Sequence, residues 1–157
     1  MSRHFEREGG GSAMITRGRV LDAMVACALV ASVGETPVGL LSYVRTGPEC
    51  EILSLDAFER GRGIGTRLVE YLLARSAAQT SVVVVTTNDN LAALGFYQRL
   101  GFRLTEIRAD AVTRARRHKP SIPIIGETGI PIRDELVLTR GTTGGDHRPV
   151  SGPIDFP

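Results

Sequence analysis

The chain has 157 residues, 42% of them hydrophobic and 23% charged, with a net charge of +2. Length and composition fit one soluble globular domain, and so small a net charge argues by itself for neither a nucleic-acid partner nor a membrane. No apolar run reaches bilayer-spanning length, residues 1–8 lack the apolar core of a signal peptide, and Cys27 and Cys50 are too few for a disulfide framework and show no metal spacing, so a cytoplasmic protein with free thiols is expected.

Residues 1–13 are polar, include Gly9-Gly10-Gly11-Ser12, and read as a flexible lead. Residues 24–33, 38–45 and 50–57 predict three strands, separated by Gly34-Glu35-Thr36-Pro37 and Thr46-Gly47-Pro48-Glu49. Turns this short imply antiparallel neighbours. The glycine-rich stretch Arg60-Gly61-Arg62-Gly63-Ile64-Gly65 then opens a helix over 64–77, in which Ile64, Leu68 and Leu72 recur at i, i+4, i+8 and face a core. The run Val82-Val83-Val84-Val85 within 81–85 predicts a buried strand, parallel to 50–57 through a right-handed crossover. Asn88 or Asp89 is expected to cap a helix over 90–100, which Gly101 ends. A strand over 102–108, a helix over 111–118 stopped by Lys119-Pro120, a proline-bearing loop and a last strand over 135–140 follow. Residues 141–157, rich in Gly, Pro and Thr, read as a disordered tail. The pattern implies an α/β (α+β mixed) fold: a mixed antiparallel and parallel central sheet with helices on both faces.

The stretch from Arg60 to Gly65 carries the chemistry. A glycine-rich turn that opens a helix aims unpaired backbone N–H groups outward, and the helix dipole behind them favours an anion such as phosphate. A P-loop is excluded because no Gly-Lys-Ser/Thr is present, and a dinucleotide fingerprint because the third glycine comes one place early. A second motif follows, Asn90-Leu91-Ala92-Ala93-Leu94-Gly95-Phe96-Tyr97-Gln98-Arg99-Leu100-Gly101-Phe102. Arg60, Gly63 and Gly65 in the first, and Asn90, Ala93, Tyr97, Gly101 and Phe102 in the second, resemble the acyl-CoA-binding motifs of the GNAT superfamily of N-acetyltransferases. The resemblance runs over roughly residues 24–140 and is specific mainly over 50–104.

That resemblance implies an acetyltransferase with acetyl-CoA as co-substrate, no metal, and a small-molecule or peptide amine as acceptor. The amides of Arg62, Gly63, Ile64, Gly65 and Thr66, in the loop begun by Arg60 and Gly61, would hold the CoA pyrophosphate. The strand Leu53 to Ala57, with Leu55, Asp56 and Ala57 nearest the loop, would pair with the pantetheine arm, and one amide near Leu55 would point at the thioester oxygen. Tyr97 would be the general acid that protonates the departing thiolate. Asn90 would bind pantetheine, or serve as a second helix cap. Glu51 would be the general base, or a solvated strand carboxylate; a water chain to Asp56 or bulk solvent are the other routes for that proton. Cys50 reads as a small buried hydrophobe rather than an acyl-carrying nucleophile.

The run Arg114-Ala115-Arg116-Arg117-His118-Lys119 reads as a solvated helix face, with binding of an acidic acceptor or RNA as its functional alternative. The proline-stiffened segment that follows is expected either to wall the acceptor site or to serve as an ordered connector. The family usually places a strand and one or two helices ahead of the first hairpin, where this chain has about two dozen residues. An open site, a second subunit or a natural start farther upstream would account for that, and the reading favours a homodimer. A non-catalytic acyl-CoA sensor and an RNA-directed protein are the alternatives, the latter resting on the basic run alone.

Overall fold

The computed structural model describes residues 26–142 throughout, together with the backbone of three strands outside that range: β1 (Ala13–Thr16), β2 (Arg19–Asp22) and β9 (Gly152–Asp155). The flexible lead expected over 1–13 lies outside the described residues, apart from Ala13, which opens β1. β1 and β2 pair as an antiparallel hairpin. The remaining elements are β3 (Cys27–Val33), β4 (Thr36–Thr46), β5 (Glu49–Ala57), α1 (Ile64–Arg75), β6 (Ser81–Thr87), α2 (Leu91–Arg99), β7 (Arg103–Arg108), α3 (Ala111–Ala115) and β8 (Glu135–Gly141). Parallel and antiparallel strand pairs coexist with helices, so the fold is mixed α/β. The chain divides into two compact units, Met1–Val82 with Thr142–Pro157, and Val83–Gly141.

In the first unit the strand order is β5-β4-β3-β9. The two short turns place β3, β4 and β5 antiparallel, with Gly34 and Gly47 at φ 56° and 59°, a region that glycine enters without steric cost. α1 buries Ile64, Leu68, Val69 and Leu72, the stripe that the spacing predicts with Val69 added. It stops two residues short of the predicted end. Ser76 takes an extended conformation, and its buried hydroxyl donates to the Leu72 carbonyl at 2.8 Å, satisfying an orphan acceptor of the last turn. The disordered tail expected from Gly141 is corrected at two places. Gly141 still belongs to β8, and β9 runs parallel to β3 with Leu29 opposite Gly152 and Ser32 opposite Asp155. Pro153 is tolerated there because β9 is an edge strand.

In the second unit the order is β7-β8-β6, with β7 and β8 antiparallel. Asn90 caps α2, accepting from the Ala93 amide at 3.1 Å, so the cap is neither Asn88 nor Asp89. At the other end Gly101, at φ 83°, donates to the Gln98 carbonyl (2.9 Å) and Phe102 donates to that of Tyr97 (3.0 Å). That pair of bonds is a Schellman closure, and the accompanying apolar contact is between the rings of Phe102 and Tyr97, 5.3 Å apart and edge-on. α3 ends at Ala115, short of the predicted His118. The turn tightens to i→i−3 bonds, Arg117 to Arg114 and His118 to Ala115, while the Arg116 side chain is drawn to carbonyls farther along the chain.

Two residues of the first unit are open to direct test. Gly39 in β4 lies under the start of α1: a Cβ there would stand 2.6 Å from Ile64 Cγ2 and 3.2 Å from Leu68 Cδ1. Gly39→Ala is expected to cost about 1–3 kcal/mol in urea unfolding, as overpacking does; an unchanged midpoint would show that α1 does not need this close approach. Cys50 is fully buried, and burial pushes its thiol up to about 11. The fold therefore favours the protonated thiol. That stabilisation is whole below the ordinary thiol value of about 8.5 and fades as pH climbs through about 11. Wild type is expected to lose stability faster than Cys50→Ala above pH ~8.5, by the same linkage. Iodoacetamide should label Cys27, which is partly exposed, and leave Cys50 untouched until urea is added; native labelling of Cys50 would contradict the assignment.

Candidate functional site

β5 ends where the Phe58 amide donates to the Val38 carbonyl at 2.9 Å, and the chain enters the loop before α1. Gly61 and Gly63 sit at φ 80° and 70°. A Cβ at either would meet nothing within 4 Å, so glycine is required there by backbone conformation and not by crowding. Arg62 pairs with Glu59 at 2.6 Å, and both side chains are half-exposed, so the pair contributes little to stability. Arg60 is exposed beside them. The first turn of α1 closes with the Arg67 amide on the Gly63 carbonyl at 3.0 Å. Gly63 at the N-cap has no side chain with which to cap this end, and no acidic residue stands in the first turn. The positive end of a twelve-residue helix, over Ile64, Gly65 and Thr66, is therefore left without the acceptor that Ser, Asp or a capping-box Glu usually supplies.

β5 carries a second irregularity. Leu40, Leu41 and Ser42 of β4 lie opposite Asp56, Leu55 and Ser54, whereas Tyr43, Val44 and Arg45 lie opposite Ile52, Glu51 and Cys50. Leu53 is the extra residue, a β-bulge. Plain alternation would put Glu51 and Ser54 on opposite faces of the strand. With the bulge between them, Glu51 shares the face of Val44 and Ser42, and so does Ser54. The hydroxyls of Ser42 and Ser54 meet at 2.6 Å on that face. Glu51 is 4% exposed, which corrects the solvated-carboxylate alternative. Leu55 and Asp56 are half-buried and Ala57 is exposed, paired with Leu41, Leu40 and Gly39. The first unit thus carries the loop residues from Arg60 to Thr66, the β5 segment from Leu55 to Ala57, and Glu51, the last on the face of β4 and β5 opposite to Gly39.

The second unit carries Asn90 and Tyr97 on α2. The Asn90 side-chain oxygen is committed to the cap, which leaves its amide nitrogen for another partner. Tyr97 is 6% exposed, with Phe96 and Phe102 edge-on at 5.0 and 5.3 Å. Burial alone raises its phenol well above the usual tyrosine range, with no hydrogen bond contributing.

The basic run is not a uniform solvated face. Arg114 donates to the Ala109 carbonyl at 2.9 Å, and Arg116 is spent on the carbonyls of Ile122, Pro123 and Ile132. Among the described residues no group of three or more His, Cys, Asp or Glu is placed to share a metal ion, and no helix is long and apolar enough to cross a membrane. The sequence reasoning passed over Gly39, the Leu53 bulge and the Ser42–Ser54 pair. Only Gly39 left a trace, as a lone glycine inside a strand pattern.

Comparison with known proteins places this geometry in a family. The sequence model of the acetyltransferase (GNAT) family matches residues 4–102. The chain is 44% identical over 105 residues to the Bacillus subtilis protein YxbD, an alignment spanning 66% of each. It is 37% identical over 71 residues to the peptidyl-lysine N-acetyltransferase YjaB of Salmonella typhimurium, covering 45% of this chain and 46% of that protein. The crystal structure of a GNAT family acetyltransferase from Elizabethkingia anophelis with acetyl-CoA bound shares the fold, with a TM-score of 0.60 and 24% identity over 71% of this chain and 73% of that one. With a family match over most of its length, and the motif residues standing at an open helix end and on α2, the chain belongs to the GNAT acetyltransferase family.

Proposed function

We propose that the chain is an acetyl-CoA-dependent N-acetyltransferase that moves an acetyl group to a primary amine by direct attack in a ternary complex. The observation that carries this reading is the uncapped N-terminus of α1 behind Gly61 and Gly63. Its amides from Arg62 to Thr66 take the CoA pyrophosphate. The GNAT protein of the same fold that holds acetyl-CoA and the relationship to a peptidyl-lysine N-acetyltransferase support the co-substrate and an amine acceptor.

In this reading the β5 backbone from Leu55 to Ala57 receives the pantetheine arm, with the Asn90 amide nitrogen as a further donor. An amide near Leu55 polarises the thioester carbonyl and stabilises the oxyanion. The amine nitrogen attacks the carbonyl carbon, and the C–S bond breaks. Tyr97 gives its phenolic proton to the departing sulfur; burial raises that phenol and makes it the weaker acid, so the donation depends on the charge building on sulfur as the C–S bond breaks. Glu51, turned by the Leu53 bulge onto the face of Ser42 and Ser54, takes the proton that an ammonium acceptor loses before it attacks, and the second proton, shed by nitrogen as the tetrahedral intermediate collapses, replaces the one Tyr97 gives to sulfur. Holding amine and thioester together contributes up to ~7–11 kcal/mol to the barrier reduction. A homodimer remains part of the proposal only as a source of further acceptor contacts.

Two variants test it. Thr66→Glu places a carboxylate in the first turn of α1, where it improves helix stability by ~0.3–1 kcal/mol and competes with an anionic ligand. Its melting temperature should hold or rise while calorimetric affinity for acetyl-CoA falls at least tenfold; undiminished affinity would remove the pyrophosphate from this helix end. Tyr97→Phe should lower turnover by ~10²-fold or more, read as CoA release against an amine panel, with acetyl-CoA affinity within twofold of wild type. Unchanged turnover would take Tyr97 out of the acid role. Tight acetyl-CoA binding with no CoA release from any amine would point instead to a sensor.

A further inference from the structure

Two side chains of the loop before α1 have no part in holding a diphosphate on backbone amides. The first is Phe58, 60% exposed and the only exposed aromatic side chain among the described residues. Its backbone is held, because its amide donates to the Val38 carbonyl at 2.9 Å. Its ring is unspent, since the ring pairs of the described residues are those of Tyr97 with Phe96 and with Phe102. The second is Arg62, whose guanidinium meets the Glu59 carboxylate at 2.6 Å one residue before the Gly63 N-cap. Glu59 is the one acid in residues 57–69, which also hold Arg60, Arg62 and Arg67.

These groups are neighbours in space. Four peptide links join Phe58 to Arg62, a reach of at most about 14 Å, and the contact between Glu59 and Arg62 folds the segment tighter than that. The ground beside them is open, because a Cβ at Gly61 or Gly63 would meet no atom within 4 Å. CoA is asymmetric about its diphosphate. One arm is pantetheine, which the β5 backbone receives. The other is adenosine with a 3′-phosphate, a flat base beside a monoester that carries about −1.5 to −2 charge at pH 7. An exposed phenyl ring suits the base, and a guanidinium suits the monoester.

We infer that Phe58 and Arg62 form the seat of the 3′-phosphoadenosine end of CoA, with Phe58 stacked on adenine and Arg62 leaving Glu59 for the 3′-phosphate. The inference rests on the acetyl-CoA reading above and adds the half of the co-substrate which that reading leaves unheld. Glu59 makes the seat selective. A half-exposed ion pair costs little to open, and a phosphate monoester takes the guanidinium through two parallel N–H···O bonds at higher charge than a carboxylate. A ligand without that phosphate offers no such exchange, and it meets the Glu59 carboxylate as a like charge beside its diphosphate.

A ligand series tests the seat apart from the diphosphate site. Calorimetry compares acetyl-CoA with acetyl-3′-dephospho-CoA. Wild type should bind the first roughly tenfold more tightly, and Arg62→Gln should bind the two within about twofold of each other. Phe58→Ser should weaken both roughly tenfold and keep their ratio. Both side chains are exposed, so melting temperatures should stay at the wild-type value. The chain has no tryptophan, which makes Phe58→Trp a single fluorescent reporter. Its emission should be quenched saturably by acetyl-CoA and left unchanged by acetyl-4′-phosphopantetheine, which has no base. Equal wild-type affinity for the two CoA ligands, an equal loss of both in Arg62→Gln, undiminished affinity in Phe58→Ser, or no quenching of Phe58→Trp would each overturn the inference and leave the diphosphate reading standing. Binding of neither ligand by wild type would overturn both.

Discussion

The unpaired amides at the start of α1 are the constraint on which the rest of the candidate site depends. A helix end without a cap is an electrostatic asset only if it is held still. Here Gly39 lets β4 come within contact of Ile64 and Leu68, and the left-handed turns at Gly61 and Gly63 bring the chain into the helix without a side chain over its mouth. A Ser or Asp at position 63, in the capping conformation, would improve the isolated helix and fill the place an anion would take. The sequence forgoes local stability at a helix end where a ligand could restore it. α2, by contrast, is capped at both ends, by Asn90 and by the Schellman closure at Gly101.

The Leu53 bulge works in the same direction on β5. One inserted residue reassigns the faces of the strand, so that Glu51 and Ser54 stand on one side while Ile52 and Cys50 pair with the buried Tyr43 and the exposed Arg45 of β4. The buried side of the strand keeps its apolar character through Ile52 and Cys50, both nearly inaccessible. The other side gains a carboxylate and a hydroxyl pair. A bulge thus lets a short strand serve a core and a polar site at once, which strict alternation would not allow.

Much of this architecture was legible because it rests on local rules. The i, i+4, i+8 stripe of Ile64, Leu68 and Leu72, the valine run of β6, and the glycine turns at Gly34, Gly47 and Gly101 each follow from period or backbone freedom alone. The glycine pattern of the loop was equally readable. What escaped was decided by tertiary contacts. Asn88, Asp89 and Asn90 are all competent caps, and Asn88 was claimed by the backbone of Pro131, Arg133 and Asp134. α3 ends early because the Arg116 side chain serves the carbonyls of Ile122 and Ile132. β9 has tail-like composition and is ordered by the edge of β3. The bulge at Leu53 leaves no mark in sequence, so the burial of Glu51 could not be anticipated.

The central claim is that backbone amides at the start of α1 receive a diphosphate. The most direct measurement is a ¹H–¹⁵N titration of the labelled chain with CoA. The account predicts that the amide protons of Gly63, Ile64, Gly65 and Thr66 show the largest downfield shifts, saturating together. Saturable binding that leaves those four resonances in place, with the shifts gathered elsewhere, would contradict it.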